Sequence, residues 1–344
     1  MAESLAVRYR PNTWEGVTEQ STATTILRQQ IERGEIQHAY LFVGSQGIGK
    51  TTIARIFANE INKGKGKPIE LDAASYNSVG DVRDIRNQAK LQSIDSEYRV
   101  YIIDECQALS KDAWQAFLKI LEEPPKKTIF IFCTTNPEKI PKTILSRVQK
   151  YTFKRISQKG IIDRLFYVIG QEVNLVRVYD KEAIQYIARM SDGGMRDALS
   201  LLDKCLAYSP DLTLENAIQA LGTVDYEVFF DLADAIHAKE AGLVIEIIEK
   251  VHADGKDLKQ FVKDFMSYLL DINKYDILHD FNYLQLPQTN EIKSDLEHAD
   301  AKWFGTCREL LPTVVKLNAD LKWETQPKTV VEARLLEFVY TSEG

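Results

Sequence analysis

Cysteine is scarce and scattered: Cys106, Cys133, Cys205 and Cys307 are the four in 344 residues. No C-x-x-C pair exists, so neither zinc nor a disulfide framework is supported, and the pattern reads as buried thiols in a reducing compartment. No run approaches the roughly 20 apolar residues that a membrane helix needs. The first residues, Met1-Ala2-Glu3-Ser4, put no basic flank before an apolar core. No secretory signal is visible, and a cytoplasmic location without a membrane partner is expected. A basic surplus is missing too: 43 Lys and Arg face 50 Asp and Glu, a formal net charge of −7. Nucleic acid would have to be gripped by a local patch, because overall charge repels it. No internal repeat or low-complexity tail is apparent. The one biased stretch, Lys63-Gly64-Lys65-Gly66-Lys67, reads as a solvated loop.

What is present is an ordinary globular composition, with 44% hydrophobic and 27% charged residues, long enough for two or three domains. Over 39–154, short apolar runs alternate with amphipathic segments, as in a parallel sheet covered on both faces. The runs are 39–43, 69–71, 100–103 and 129–133, three of them almost continuously apolar. Helices are predicted at 50–62, 80–91 and 110–122, the last with Ser110 as N-cap and Pro124-Pro125 as stop. Beyond Lys154 the strand signal fades. Helices are predicted at 161–173, 181–191, 195–208 and 214–221, then a joint at Gly222-Thr223-Val224-Asp225. The rest is helical, broken near Gly255, Pro287 and Pro327. The expected architecture is an α/β domain over 1–155, a small helical domain over 156–223 and a second helical domain over 224–344.

The sharpest motif is Gly44-Ser45-Gln46-Gly47-Ile48-Gly49-Lys50-Thr51, a match to G-x-x-x-x-G-K-[ST]. It follows a predicted strand and opens a predicted helix, the context in which backbone N–H groups cradle phosphates. Its glycines let the backbone curl, and the helix N-terminus adds partial positive charge. Lys50 would reach the β- and γ-phosphates and Thr51 would ligate Mg²⁺, with Thr52 beside it. The second element is Asp104-Glu105, after the apolar run and at the carboxyl end of a strand expected beside the loop's own strand. Asp104 there suits Mg²⁺, usually through water, and Glu105 suits orienting or deprotonating an attacking water. Two acids ending a strand are weak evidence alone; coupled to the loop they become strong.

Several further segments together resemble the γ/τ subunit of bacterial DNA polymerase III, a clamp-loader ATPase of the AAA+ class. They are His38-Ala39-Tyr40-Leu41-Phe42, Leu71-Asp72-Ala73-Ala74-Ser75 and Leu118-Lys119-Ile120-Leu121-Glu122-Glu123-Pro124-Pro125. The most specific is Thr134-Thr135-Asn136-Pro137-Glu138-Lys139-Ile140-Pro141-Lys142-Thr143-Ile144-Leu145-Ser146-Arg147. Tyr9-Arg10-Pro11 resembles the segment that closes over the adenine. The resemblance implies an AAA+ domain, a helical lid and a helical collar, with ATP and Mg²⁺ bound. Thr135, rather than its neighbour Thr134, matches the sensor 1 position that contacts the γ-phosphate or attacking water. Arg147 matches an arginine finger acting on a neighbour's ATP, and Arg196, in Gly194-Met195-Arg196-Asp197, matches sensor 2. Implied partners are other loader subunits in a ring or arc, a sliding clamp and primer–template DNA.

The sequence also departs from that family. The usual four-cysteine zinc module is replaced by Asn62-Lys63-Gly64-Lys65-Gly66-Lys67-Pro68, so no zinc is expected. Val148 stands where cysteine is usual, and Gln107 replaces the usual histidine of the Asp104-Glu105-Cys106-Gln107 box. The helix at 329–340 is followed by no long extension, so the polymerase and helicase couplings of the τ form are not expected. A non-hydrolysing scaffold subunit and a branch-migration helicase are the alternatives; the intact Lys50, Thr51, Asp104, Glu105 and Arg196 argue against the first, Ser146-Arg147 and the collar-like end against the second. Where relatives carry basic residues for template phosphates, this chain has Tyr76-Asn77-Ser78. Ser78, Lys142 and Thr143 are then the candidate DNA contacts, by hydroxyls and a helix N-terminus. The log–log dependence of DNA affinity on salt should be shallower than for a relative with two more basic residues there; an equal slope would refute this.

Overall fold

In the computed structural model, the described residues are 3–89, 95–172, 175–221, 226–287 and 289–341. The predicted joint at 222–225 and the predicted helix ends at 90–91 and 173 lie outside them, as do Met1 and Ala2. In chain order the helices and strands are α1 (Leu5–Arg8), α2 (Ser21–Arg33), β1 (Ala39–Val43), α3 (Lys50–Ile61), β2 (Ile69–Asp72), α4 (Val79–Ala89), β3 (Arg99–Asp104) and α5 (Lys111–Glu122). Then come β4 (Thr128–Thr134), α6 (Lys142–Leu145), β5 (Gln149–Thr152), α7 (Gln158–Gln171), α8 (Lys181–Met190), α9 (Met195–Tyr208) and α10 (Leu214–Leu221). The remaining helices are α11 (Tyr226–His237), α12 (Ala241–Ala253), α13 (Leu258–Leu278), α14 (Asn290–His298), α15 (Ala301–Asp320) and α16 (Pro327–Thr341).

Five strands form one parallel sheet in the order β2-β3-β4-β1-β5, and two short strands at Val178–Tyr179 and Asp211–Leu212, where the sequence predicts only helices, pair as a separate sheet. Side chains alternate across a strand, so successive residues of each run face opposite layers. Leu41, Tyr101, Ile103, Phe130 and Phe132 pack with α4 and α5 on one face. Tyr40, Phe42, Val100, Ile102, Ile131 and Cys133 pack with α2 and α3 on the other. Two corrections to the sequence reading follow. β3 is not beside β1, because β4 runs between them. A fifth strand, β5, pairs with the outer side of β1. Its Gln149-Lys150-Tyr151-Thr152 buries one side chain fully, as an edge strand does, and so carries no continuous apolar signal. The N-terminal helices α1 and α2 were likewise not anticipated.

Helix ends follow local chemistry. Ser110 accepts from Ala113 N at 3.1 Å and starts α5 as predicted, and the helix stops at Glu122 before the two prolines. The break predicted near Pro327 falls between α15 and α16, and Pro327 itself is the first residue of α16, a position where its missing N–H costs nothing. Pro312 lies inside α15, where it removes one backbone donor from a 20-residue helix. All four cysteines are buried and free, as their scatter implied. Among the described residues no helix is long and apolar enough to cross a membrane.

The chain divides into two compact units: Met1–Tyr179 with Ile187–Asp211, and Asp180–Tyr186 with Leu212–Gly344. The first holds the sheet together with α7 and α9. In the second, α11 to α16 enclose an aromatic-rich core containing Phe229, Phe261, Phe265, Tyr268 and Trp303. Asp271 is buried there and accepts Leu286 N at 3.0 Å and Lys274 Nζ at 2.8 Å. A buried carboxylate so paired is satisfied, and serves to pin the loop after α13.

Phe132 has no exposed surface and lies 5.2 Å from the Phe117 ring and 5.5 Å from that of Trp114. Phe132→Ala is expected to destabilise the first unit by about 3–5 kcal/mol, measured by urea unfolding; a loss under about 1 kcal/mol would contradict this packing.

Candidate functional site

β1 delivers the chain to the 44–51 loop, and α3 takes it away. The loop turns because Gly47 and Gly49 adopt φ of 71° and 102°, which side chains with a Cβ resist. A Cβ at Gly47 would also lie 3.2 Å from Asp197 Oδ2 and 3.4 Å from Arg196 Cβ. The loop therefore lies directly under the first turn of α9, and Arg196 N donates to Gly47 O at 3.2 Å. Lys50 is 6% exposed, and its ammonium donates to Gly44 O at 2.8 Å and Ser45 O at 2.7 Å. Burial lowers its pKa, with Cys133, Glu105 and Asp104 pulling the other way. A cation folded onto its own loop carbonyls is ready to exchange them for anionic oxygens.

Although β4 separates their strands, Thr51 Oγ1 donates to Asp104 Oδ2 at 2.8 Å. A hydroxyl and a carboxylate so close can share a divalent cation whose remaining ligands are phosphate and water. Among the described residues no three His, Cys, Asp or Glu side chains are grouped to hold a metal alone. The pair fits Mg²⁺ bound mainly by its nucleotide, not a metal cage of protein ligands. Glu105 follows with φ of 49°. Its Oε2 accepts from Gln107 Nε2, and Thr135 Oγ1 lies 3.4 Å from the same oxygen. Of the two adjacent threonines, Thr135 thus stands beside Glu105. Thr134 is fully buried and turns its hydroxyl to Gln107 Oε1 at 2.7 Å.

These groups border a cleft of about 330 Å³. It gathers Tyr9, Arg10, Pro11, Gln46, Gly47, Ile48, Gly49, Lys50, Thr51, Thr52, Asp104, Glu105 and Arg196, all named from the sequence. Gly44 and Ser45 lie at the loop's start, outside the lining. Val17, Thr18, Ile156, Arg164, Met195 and Leu199, which sequence reasoning missed, also line the cleft. Arg164 donates to Tyr9 O at 2.8 Å and stacks 4.8 Å from the Tyr167 ring centre. Tyr9 hydroxyl donates to Glu172 Oε1 at 2.6 Å, and burial, with that bond, pushes its pKa up to about 12. No local motif marks these positions, because they come from several separate segments of the chain.

Thr135 stands beside Glu105 but is not part of the cleft lining, and two further groups of candidates lie outside the cleft. Arg147 bonds Thr143 O at 2.8 Å and Glu122 Oε1 at 2.9 Å, a half-exposed ion pair. Lys142 and Thr143, on the four-residue α6, are exposed. Ser78 is exposed as well, but its N–H and hydroxyl both donate to Asp81 Oδ2, at 3.0 and 2.7 Å. Those bonds lower the pKa of Asp81 and give α4 an anion of its own. Residues 62–68 form a short turn between α3 and β2.

A phosphate-type loop, an acid pair on a parallel sheet and a helical segment over the loop define a P-loop protein of the AAA+ fold. A solved structure of the Thermotoga maritima RuvB Holliday junction branch migration motor has this fold, with TM-score 0.52 at 17% identity over 85% of this chain and 99% of that one. The family described as DNA polymerase III, delta subunit, matches residues 19–77 and 67–157. The DNA polymerase III clamp loader subunit, ATPase lid domain, matches 161–211, and DNA polymerase III subunits gamma and tau domain III matches 212–343. Among relatives, the tau subunit of Bacillus subtilis DNA polymerase III is 34% identical over 97% of this chain and 62% of its own length. That of Escherichia coli is 30% identical over 91% and 50%, and the gamma subunit of Buchnera aphidicola 30% over 78% and 80%. The chain belongs to the DNA polymerase III gamma/tau family, and spans about half to three-fifths of the two tau subunits.

Gly47→Ala, strained by φ and crowded by Asp197, is expected to destabilise the first unit by about 1–3 kcal/mol in chemical unfolding. An unchanged midpoint would mean that loop and α9 are not in contact.

Proposed function

We propose that the chain is an ATP-hydrolysing motor subunit of a DNA polymerase sliding-clamp loader. It would act with other loader subunits to open a ring-shaped clamp and place it on primer–template DNA. The observation carrying this is the meeting of Lys50, Thr51, Asp104 and Glu105 at one cleft that Tyr9, Arg10 and Pro11 also line. The loop amides 45–51 and Lys50 would bind the phosphates, and the Tyr9-Arg10-Pro11 segment with Thr18 and Ile156 would enclose the base. A magnesium ion held by Thr51 and Asp104 would neutralise charge on the β- and γ-phosphates. Glu105 would orient the attacking water and take its proton, with Thr135 beside it. Arg196, on the α9 segment that bonds Gly47, would carry lid position to the phosphates.

Arg147 sits outside this cleft and on the surface, which suits a guanidinium offered to a neighbouring subunit's ATP. Such fingers are worth roughly 10³ to 10⁵ in rate. Lys142, Thr143 and Ser78 remain our proposed DNA contacts, with Asp81 having to yield before Ser78 can serve a phosphate. We read the chain as three parts: a nucleotide domain over 1–155, a lid over 156–223 and a collar over 224–344.

Hydrolysis should rise on adding clamp and primed DNA together with the other loader subunits. No stimulation under those conditions would point to a non-hydrolysing scaffold, and unwinding without a clamp to a helicase. Lys50→Ala should abolish ATP binding while the circular dichroism spectrum is kept; surviving hydrolysis would place the site elsewhere.

A further inference from the structure

The residue at the fourth position of the Asp104 box, Gln107, is bonded to both strand ends beside it. Gln107 is half-buried just beyond β3, and its carboxamide touches three residues from two strand ends. Thr134 Oγ1 accepts Asn136 N at 3.0 Å, which leaves its single proton for Gln107 Oε1 at 2.7 Å. That bond fixes which way the carboxamide lies. Its amino group must then face the opposite side, where it donates to Glu105 Oε2 and to Thr135 Oγ1 at 3.1 Å. Thr135 Oγ1 stands 3.4 Å from the same Glu105 oxygen and closes the ring of bonds.

We propose that Gln107 is a positioning residue, which sets the Glu105 carboxylate by tying it to the end of β4. One carboxylate oxygen is engaged by neutral donors and its partner is left for a water. The orientation reaches back to Asn136, whose side chain accepts Glu138 N at 3.2 Å and starts the segment leading to Arg147. The carboxamide is suited to this task, since it accepts from Thr134 and donates to Glu105 at once and does not titrate near neutral pH. This rests on the ATPase reading of the cleft, because it assigns how that cleft's base is held.

The test compares the unaltered full chain with Gln107→Ala and Gln107→Glu, alone and assembled with loader subunits, clamp and primed DNA. ATP affinity and single-turnover hydrolysis are measured across pH 6 to 9. Gln107→Ala should lower the hydrolysis rate about 10- to 100-fold while ATP affinity changes by no more than roughly twofold. Gln107→Glu sets a second carboxyl against Glu105, and the two will share a proton. When the introduced carboxyl is protonated it can still donate to Glu105, so this variant should recover rate as pH falls. When it ionises, the donor is lost and the two charges repel, so rate falls as pH rises, a limb absent from the unaltered chain. An unaltered rate in Gln107→Ala overturns the proposal. So does a pH profile for Gln107→Glu parallel to that of the unaltered chain, or loss of ATP affinity and thermal stability in step with rate, which marks a purely structural residue. No hydrolysis by the unaltered chain in either form would instead remove the ATPase reading beneath it.

Discussion

Because the five strands of the main sheet run in one direction, their carboxyl ends open on a single rim, and the chemistry of the molecule depends on how that rim is held together. The ladder does not stop where the strands do. Gly44 N donates to Thr134 O at 3.2 Å, Phe153 N to Val43 O at 2.7 Å and Ala73 N to Asp104 O at 2.9 Å. The phosphate-type loop is thereby bonded to the end of β4, and the acid pair to the turn after β2. Parallel pairing forces each strand to be reached by a crossover, so the rim collects segments distant in sequence. Thr51 and Asp104 meet at 2.8 Å although another strand runs between theirs, because α3 leans its first turn across the end of β4.

The rim also sets the electrostatics. Lys50 is a buried cation, and an unpaired buried charge would cost several kcal/mol. Two loop carbonyls accept from its ammonium, while Asp104 and Glu105 supply nearby negative charge. On the proposed reading, the loop amides face an anion site whose own cation is held in reserve within the same loop. Joining α9 to Gly47 places a second helix N-terminus over that site, so the lid segment and the loop form one hydrogen-bonded piece.

Much of this was legible in the sequence, for a physical reason. The 44–51 loop is a backbone device, so its residue types and spacing are local and survive as a motif. Fully buried strands such as Thr128–Thr134 announce themselves by continuous apolar character. β5 did not, because an edge strand with alternating polar residues resembles a loop. The position of β3 next to β4 rather than β1 was illegible, since strand order is a tertiary choice that no run of residues encodes. Arg164 and Ile156 were missed because a cleft lining assembled from several elements leaves no spacing to read. Gln107 was visible only as a departure from a family pattern; its partners Thr134 and Thr135 come from a strand end some 27 residues on.

Arg147 shows how an exposed contact can matter more by being weak. Its pair with Glu122 is open to solvent on both sides, with 36% and 46% of the two side chains accessible. Pairs of this kind are worth about 0–1 kcal/mol and are screened by salt. The guanidinium is therefore aimed, by Glu122 and by Thr143 O, without being committed. A buried pair would have cost several kcal/mol to break, and no partner phosphate could displace it cheaply. On the proposed reading, each subunit then carries a loop, a metal pair and a base for its own nucleotide, and an arginine that only a neighbour can use. Separating the charge that completes the reaction from the cleft that binds the nucleotide makes efficient hydrolysis a property of the assembly, because the low cost of releasing Arg147 is recovered only where another subunit's phosphates receive it.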